Sequence, residues 1–474
     1  MTAGDDQVHE DVTMSGSGAE VAAVVVLAAG AGTRMKSSRA KVLHEVAGRS
    51  MLSWAVDAAE QVDPEHLVVV VGHQREQVEA HLREVAPAVL TAVQEEQKGT
   101  GHAVMCGLAP LGEIGGIVVV TYGDVPLLSG ETLSAMVEDH RRSGDAITVL
   151  TAHVPDPTGY GRIVRGGDAG IARIVEHKDA SAGERAIDEI NSGIYVFDAD
   201  ILHDGLASLG TDNAQGELYL TDVIAHANAV GRRVGAYVTD DLWQTEGVNN
   251  RLQLARMGAE MNRRIGEKWM LAGVTVVDPD TTWIEDSVDI AADVTLLPGT
   301  SLLGATSIAA GAVIGPDTSL KDVEVGEEAT ITRSQGLLAT VGPRGQVGPF
   351  AYLRPGTELG ADVRLGAFVE TKRAVIGDGA HIAHQAYAAD VEIGAGATLC
   401  AGTIVANDDG VTKHTTRVGA GAFIGAHSVL VAPVTVSDGA YVAAGSTVTE
   451  DVTTQRGTAG TTQGAAGAGG SGLD

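Results

Sequence analysis

Cysteine, aromatic residues and positive charge are all scarce in this sequence, and each shortage removes a class of protein. The two cysteines, Cys106 and Cys400, lie far apart in 474 residues. They match no metal or redox spacing, so a reduced cytoplasmic protein is expected. Lysine and arginine number 32 against 62 aspartates and glutamates, a net charge of -30. Nucleic acid and anionic membranes are bound through clustered cations, so neither is expected as a partner. Small anionic substrates stay open, because they need only a few local cations and amides. No apolar run of about 18 residues occurs, which argues against membrane insertion. The first twenty residues, MTAGDDQVHEDVTMSGSGAE, are acidic where a signal peptide is basic and then apolar, and read as a disordered leader. Residues 453–474 are Gly/Ala/Thr-rich without periodicity and read as a flexible tail.

Aromatics make up only 3% of the chain, whereas glycine occurs 62 times. That balance suits tight turns and small repeated layers better than one bulky core. Two different periodicities divide the chain. Over residues 21–250, apolar β-branched runs (VAAVVVLAA, HLVVVVG, GIVVVTYGD, AITVLTAHV) alternate with amphipathic stretches such as MLSWAVDAAEQV and REQVEAHLREV. Runs of that kind imply strands covered on both faces, hence an α/β domain with a mostly parallel sheet and ligands at the strands' carboxyl ends. Residues 251–273 read as a linking helix. Over 274–452 aliphatic residues recur every six positions: Ile284, Ile290, Leu296, Leu302, Ile308, Ile314, Leu320; then Val347, Leu353, Leu359, Leu365; then Val418, Ile424, Leu430, Val436, Val442, Val448. A six-residue period is the mark of a parallel β-helix of hexapeptide turns. Leu365 to Ile376 and Ile382 to Ile393 fall one residue short of two hexads, and Val405 to Val418 runs one over. Such breaks are expected in surface loops, often on the binding face.

The stretch VVVLAAGAGTRM, Val24 to Met35, is a strand that breaks into a small-residue turn, a shape that brings backbone close to phosphate. It lacks the Gly-Lys-Ser/Thr ending of a P-loop, and Gly30-Ala31-Gly32 lacks the third glycine of a dinucleotide fingerprint. The surrounding motifs decide. LAAGAGTRM, AKVLHEVAG, QEEQKGTGHA, TYGDVPLL, GYGRIVR, VEHKDA, INSGIY, NAQGELYLTD and EGVNNRLQL, in that order, resemble the uridylyltransferase half of the bifunctional N-acetylglucosamine-1-phosphate uridylyltransferase/glucosamine-1-phosphate acetyltransferases of bacterial cell-wall synthesis. LRPG, FVETK, VAPVTV and GSTVTEDV resemble that family's acetyltransferase half. The likeness runs from about residue 22 to about residue 452.

The resemblance implies a Rossmann-like nucleotidyltransferase domain followed by a left-handed parallel β-helix. It implies two reactions: acetyl transfer from acetyl-CoA to glucosamine 1-phosphate, then uridylyl transfer from UTP to N-acetylglucosamine 1-phosphate. In the first half it places Leu27, Ala28, Ala29 and Gly30 on nucleotide phosphate, with Arg34 and Lys41 as the cations that meet the triphosphate. Gln94, Gly99 and Thr100 would hold the uracil, and Tyr122, Gly123, Gly161, Glu176 and Asn191 the sugar. Asp124 and Asn249 would hold Mg²⁺, which prefers oxygen ligands. In the second half His384 would be the base that frees the attacking amine. Arg354 and Lys372 would bind the sugar phosphate beside Tyr387. Thr398, Ala401, Asn407, Asp408, Ala426 and Ala444 would line acetyl-CoA, with Lys413 in the inserted loop. A homotrimer with acetyltransferase sites shared between chains is implied too.

The sequence departs from that pattern in places. Asp408 stands where the family usually has tyrosine, Thr398 where asparagine is frequent, Ala426 where serine is common, and Ala40 where proline precedes the lysine. An added carboxylate at Asp408 is expected to repel anionic CoA. The rival readings are a uridylyltransferase whose β-helix serves only assembly, and a non-catalytic sugar-nucleotide sensor. Lys41, Asp124 and Asn249 argue against the sensor, which has no need of metal-assisted chemistry.

Overall fold

The computed structural model describes residues 20–167 and 169–453; the leader up to residue 19 and the tail from residue 454 lie outside the described residues. The chain separates into two compact units, Met1–Ala259 and Glu260–Asp474, and the division falls inside one helix, Arg251–Leu271.

The first unit is built on a nine-stranded sheet: β1 (Val21–Leu27), β2 (His66–Val71), β3 (Leu90–Val93), β4 (Ile117–Tyr122), β5 (Ile147–His153), β6 (Gly161–Arg165), β7 (Ile171–Val175), β8 (Glu189–Asp198) and β9 (Val234–Val238). The order is β9-β5-β8-β4-β1-β2-β3, with β6 joining β8 and β7. Along that path only β8 runs antiparallel to its neighbours β4 and β5. β1 is buried over its whole length, as a valine-rich run covered on both sides must be. Its alternate residues feed opposite faces. Val24 and Val26 pack with Leu52, Ala55 and Val56 of α1 (Met51–Glu60) and with Val78 and Leu82 of α2 (Arg75–Val85). Ala23 and Val25 pack with Ala103, Val104 and Leu108 of α3 (Thr100–Leu108). Each fully buried valine stabilises this arrangement by roughly 1.5–3 kcal/mol before entropy is counted. The result is a rigid frame whose central strands end at Leu27 and Tyr122.

In the second unit short strands pair in parallel with the strand one rung on, as in Thr398↔Phe423↔Tyr441 and Leu399↔Ile424↔Val442. The rungs make a left-handed parallel β-helix. The hexad positions are its core: Ile284, Ile290, Leu296, Leu302, Ile308, Ile314 and Leu320 are all at most 3% exposed, and Val418 to Val448 at the same spacing are buried too.

The breaks in the hexad behave differently from expectation in two cases of three. Glu370–Ile376 and Tyr387–Ile393 are continuous strands rather than loops. Each absorbs its missing residue with one left-handed residue, Arg373 (φ 41°) and Asp390 (φ 49°). A single residue at positive φ turns the chain within one position, so a corner closes with fewer residues. The conformation is unfavourable for side chains other than glycine. Here it is offset by an Arg373–Asp390 pair in which Nε and Nη2 donate to both carboxylate oxygens at 2.5 and 2.8 Å. The third break is a loop as expected, a small excursion over residues 407–415 pinned by an antiparallel bridge between Asp408 and Lys413.

Candidate active sites

A cavity of about 370 Å³ opens at the carboxyl ends of β1 and β4. It brings together Leu27, Ala28, Ala29, Gly30, Lys41, Gln94, Gly99, Thr100, Tyr122, Asp124 and Asn249. Ala28 N–H is spent on Val70 O (2.9 Å) and Gly123 N–H on Leu27 O (3.0 Å). Among the described residues, the amides from Ala29 to Gly32 donate to no protein acceptor. Consecutive free amides in a turn form a seat for an anion. Gly32, at φ 59°, is needed for a second reason: a Cβ there would lie 2.6 Å from Lys41 Cβ, so only glycine lets the lysine stem pass. Ala40, with φ -56° and ψ 140°, keeps a backbone that proline would adopt. Its N–H donates to Gln77 Oε1 at 3.1 Å, a bond proline could not make.

At the mouth of the cavity two oxygen donors face two cations. Lys41 Nζ is paired with the Asp124 carboxylate and also donates to Asn249 Oδ1 at 3.3 Å, while Arg34 Nη2 donates to Asn249 Oδ1 at 2.8 Å. The Lys41 and Asp124 side chains are 13% and 15% exposed, so the pair is poorly screened. Val248 N–H donates to Asp124 O (2.9 Å) and Asn249 N–H to Gln253 Oε1 (2.9 Å), which fixes both donors in place. A carboxylate and an amide oxygen converging on one cation suit a hard divalent metal. No group of three or more His, Cys, Asp or Glu able to hold a metal occurs among the described residues. Two oxygen ligands could hold such a cation only with further ligands from substrate phosphate or water.

The residues expected at the sugar lie at the end of β4 (Tyr122, Gly123), on β6 and β8 (Gly161, Asn191) and just after β7 (Glu176). Gly161 pairs with Asn191 across β6 and β8. Asn191 Nδ2 donates to Tyr195 Oη at 2.8 Å, and Asn191 Oδ1 accepts from Gly193 N–H at 3.0 Å. Gly193, at φ 86°, lies where a Cβ would meet the Tyr122 ring at 2.7 Å. Burial raises the Tyr122 phenol above its ordinary range, with Asp124 and Glu176 adding to the effect. Burial also raises the Glu176 carboxyl, reinforced by Asp179 and Asp222. Tyr122 thus stays a hydroxyl donor at neutral pH. Thr100 Oγ1 accepts from Leu220 N–H at 3.1 Å, and Gln94 Nε2 donates to Gly99 O at 3.1 Å.

In the β-helix, His384 is exposed at a corner between two faces. Gly402 N–H donates to His384 O, His427 N–H to Ala401 O and Gly445 N–H to Ala426 O. His384, Ala401, Ala426 and Ala444 therefore stack on successive rungs along one edge, and the three alanines keep that edge free of bulk. Thr398 lies on the adjoining face between His381 and Phe423. Tyr387 begins the strand beside Glu370 and Ile404. Arg354 and Lys372 sit at the far side of that same face. The register Leu353↔Thr371 makes them neighbours, and Arg354 Nη1 donates to Glu370 Oε1 at 2.6 Å. The Lys372 amine is pulled below its usual value by Arg373 and Arg354, with Lys413 of the inserted loop adding to them. A gathering of cations like this favours an anion. Asn407 is buried and donates its amide to Asp390, while Asp408 Oδ1 accepts from Gly410 N–H at 2.9 Å. Asn407 is thus tied to the Tyr387–Ile393 strand and Asp408 to the loop itself.

Residues 24–187 match the MobA-like NTP transferase domain family. The chain is 61% identical to the bifunctional protein GlmU of Cutibacterium acnes, over 82% of this chain and 94% of that one. It is 55% identical to the bifunctional protein GlmU of Pseudarthrobacter chlorophenolicus (91% and 88% covered) and 53% identical to that of Streptomyces coelicolor (91% and 90%). The chain belongs to the bifunctional GlmU family. GlmU enzymes join a uridylyltransferase and an acetyltransferase in one polypeptide and make UDP-N-acetylglucosamine for cell-wall synthesis. The reading in which the β-helix serves only assembly gives way to the bifunctional one. Divalent-metal use is general in GlmU and in NTP transferases.

Four residues that line the cavity were not among the expected ones: the apolar Val42 and Ala103 and the polar Gln97 and Glu217. Gln97 Nε2 donates to Ala29 O at 2.7 Å and so holds the turn that follows β1. It lay inside the motif QEEQKGTGHA, only three residues after Gln94. Glu217 lay inside NAQGELYLTD, and nothing in the spacing of that motif placed it in this cavity.

Proposed function

We propose that uridylyl transfer takes place in the 370 Å³ cavity and acetyl transfer along the β-helix edge that carries His384. The observation that carries the proposal is the convergence of the Asp124 carboxylate and the Asn249 amide oxygen on the Lys41 ammonium. In the first reaction a phosphate oxygen of N-acetylglucosamine 1-phosphate bonds to the α-phosphorus of UTP as the bond to the β,γ-bridged pyrophosphate breaks. The chain's task is positioning and charge neutralisation. The free amides of Ala29 to Gly32 seat phosphate oxygens, and Arg34 and Lys41 neutralise charge moving onto pyrophosphate. Gln94, Gly99 and Thr100 hold the uracil, and Tyr122, Gly123, Gly161, Glu176 and Asn191 border the sugar. Asp124 and Asn249 would hold Mg²⁺, which would supply charge neutralisation on the triphosphate.

In the second reaction His384 takes a proton from the ammonium of glucosamine 1-phosphate. The free amine then bonds to the acetyl carbonyl carbon, the C–S bond breaks, and the second proton lost by the nitrogen goes to the departing thiolate, giving the amide and CoA as thiol. Arg354 and Lys372 hold the sugar phosphate, Tyr387 stands between them and His384, and the alanine edge receives acetyl-CoA. Acetylation precedes uridylylation, because its product is the acceptor for UTP. The enzyme works in the cytoplasm, where UTP and acetyl-CoA are available, as a homotrimer whose chains share acetyltransferase sites. Two measurements test this reading. Pyrophosphate release from UTP and N-acetylglucosamine 1-phosphate should require Mg²⁺, and light scattering should give three times the chain mass. Metal-independent release would refute the first role assignment, and a monomeric mass the shared site.

A further inference from the structure

Gln94 lies in the cavity at 5% exposure, and its amide is oriented by two acceptors at once. Nε2 is 3.1 Å from Gly99 O and 3.2 Å from His102 Nδ1. Gly99 O is a carbonyl and can only accept, so the nitrogen end of Gln94 must face it. That carbonyl is itself fixed: it also accepts from Ala103 N–H at 3.2 Å, at the start of α3. The second amide hydrogen is left for His102, which can take it only if Nδ1 is unprotonated. The ring proton of neutral His102 then sits on Nε2. Four residues on along the same helix face, Cys106 Sγ lies 3.8 Å from Nε2 and serves as its weak acceptor. Burial raises the Cys106 thiol, which keeps it a neutral partner.

We infer that His102 is a positioning residue for base recognition: it locks the Gln94 amide so that only Oε1 faces the cavity. Among the described residues Oε1 has no hydrogen-bond partner, so an acceptor is presented to the base. Uracil offers N–H at ring position 3, whereas cytosine in the same placement offers a lone pair. The lock therefore favours UTP over CTP through a side chain that need not touch the nucleotide. A site built around a fixed hydrogen-bond partner rejects the base that cannot supply its complement.

The inference rests on Gln94 contacting the base, and three variants separate the two claims. Steady-state kinetics with UTP and with CTP are measured for His102→Leu, His102→Asn and Gln94→Leu. His102→Leu removes the acceptor. It should raise the KM for UTP and lower the UTP-to-CTP ratio of kcat/KM by roughly 3–10-fold, the loss of one neutral hydrogen bond, with kcat little changed. His102→Asn places Oδ1 where Nδ1 stood and should restore the ratio. Gln94→Leu should reduce the ratio at least as far as His102→Leu. An unchanged ratio in His102→Leu, with Gln94→Leu impaired, overturns the role of His102 and leaves that of Gln94. Equal impairment in both His102 variants overturns it too, since a general packing defect would act that way. An unchanged ratio in Gln94→Leu removes the base contact and the inference with it.

Discussion

Arg34 Nη2 donates to Asn249 Oδ1 at 2.8 Å, joining residues 215 positions apart in the chain. Lys41, bonded to both Asn249 Oδ1 and the Asp124 carboxylate, extends this into an open chain of two cations and two oxygen acceptors at the cavity mouth. In the proposed mechanism the same four groups serve the triphosphate and the metal. In that proposal Asp124 and Asn249 would hold the metal and Lys41 and Arg34 would meet phosphate, so the cost of parting the poorly screened Lys41–Asp124 pair would be offset by a new opposite partner for each charge.

Asp124→Ala should lower pyrophosphate release by at least about 100-fold, the scale seen when one charge-stabilising group is removed from a reacting centre. Acetyl transfer should persist, because Asp124 belongs to the first unit and His384 to the second. A chelator should reproduce the split in the unmodified enzyme. Equal loss of both activities in a folded variant would refute separate sites.

His384→Ala should lower acetyl transfer by about 10² to 10⁴-fold, the usual contribution of a positioned base, with uridylyl transfer intact. Thiol release from acetyl-CoA with glucosamine 1-phosphate is the readout. Full rate in the variant removes His384 from the mechanism.

The hexad core was legible residue by residue, because every inward position from Ile284 to Leu320 obeys one rule of spacing and burial. The nucleotide cavity was legible as a set of motifs that a sheet would bring together. The left-handed corners at Arg373 and Asp390 were not legible. Neither residue is a glycine, and the Arg373–Asp390 pair that steadies them spans two rungs. Partner choice was hidden for the same reason. Nothing in the spacing of Gln94, His102 and Cys106 says that one histidine bridges an amide and a thiol.

Glu176 gives a pH test. Burial, then Asp179 and Asp222, raise its carboxyl above the ordinary 4.5, so the folded chain holds that proton more tightly than the unfolded chain. Stability from this group is therefore present below the ordinary value and lost as pH rises toward the raised one. Glu176→Gln has no proton to lose. Its melting temperature relative to the unmodified protein should climb as pH rises above about 4.5 and then level off. A pH-independent difference would contradict the assigned environment.

Asp408 tests the charge argument in the inserted loop. Asparagine there keeps an Oδ1 to accept from Gly410 N–H, now at 2.9 Å, and removes only the charge. Asp408→Asn should lower the KM for acetyl-CoA, with the gain shrinking as salt rises. An unchanged KM at low salt would show that the carboxylate does not face the CoA phosphates.

The central claim is that one polypeptide supplies two separate active centres, the acetyltransferase one shared between chains of the trimer. Mass spectrometry of the products from glucosamine 1-phosphate, acetyl-CoA, UTP and Mg²⁺, with each omitted in turn, tests it most directly. The account predicts UDP-N-acetylglucosamine with all four present, N-acetylglucosamine 1-phosphate alone when UTP is withheld, and no acetylated product without acetyl-CoA. Failure to acetylate while N-acetylglucosamine 1-phosphate is still uridylylated would contradict it.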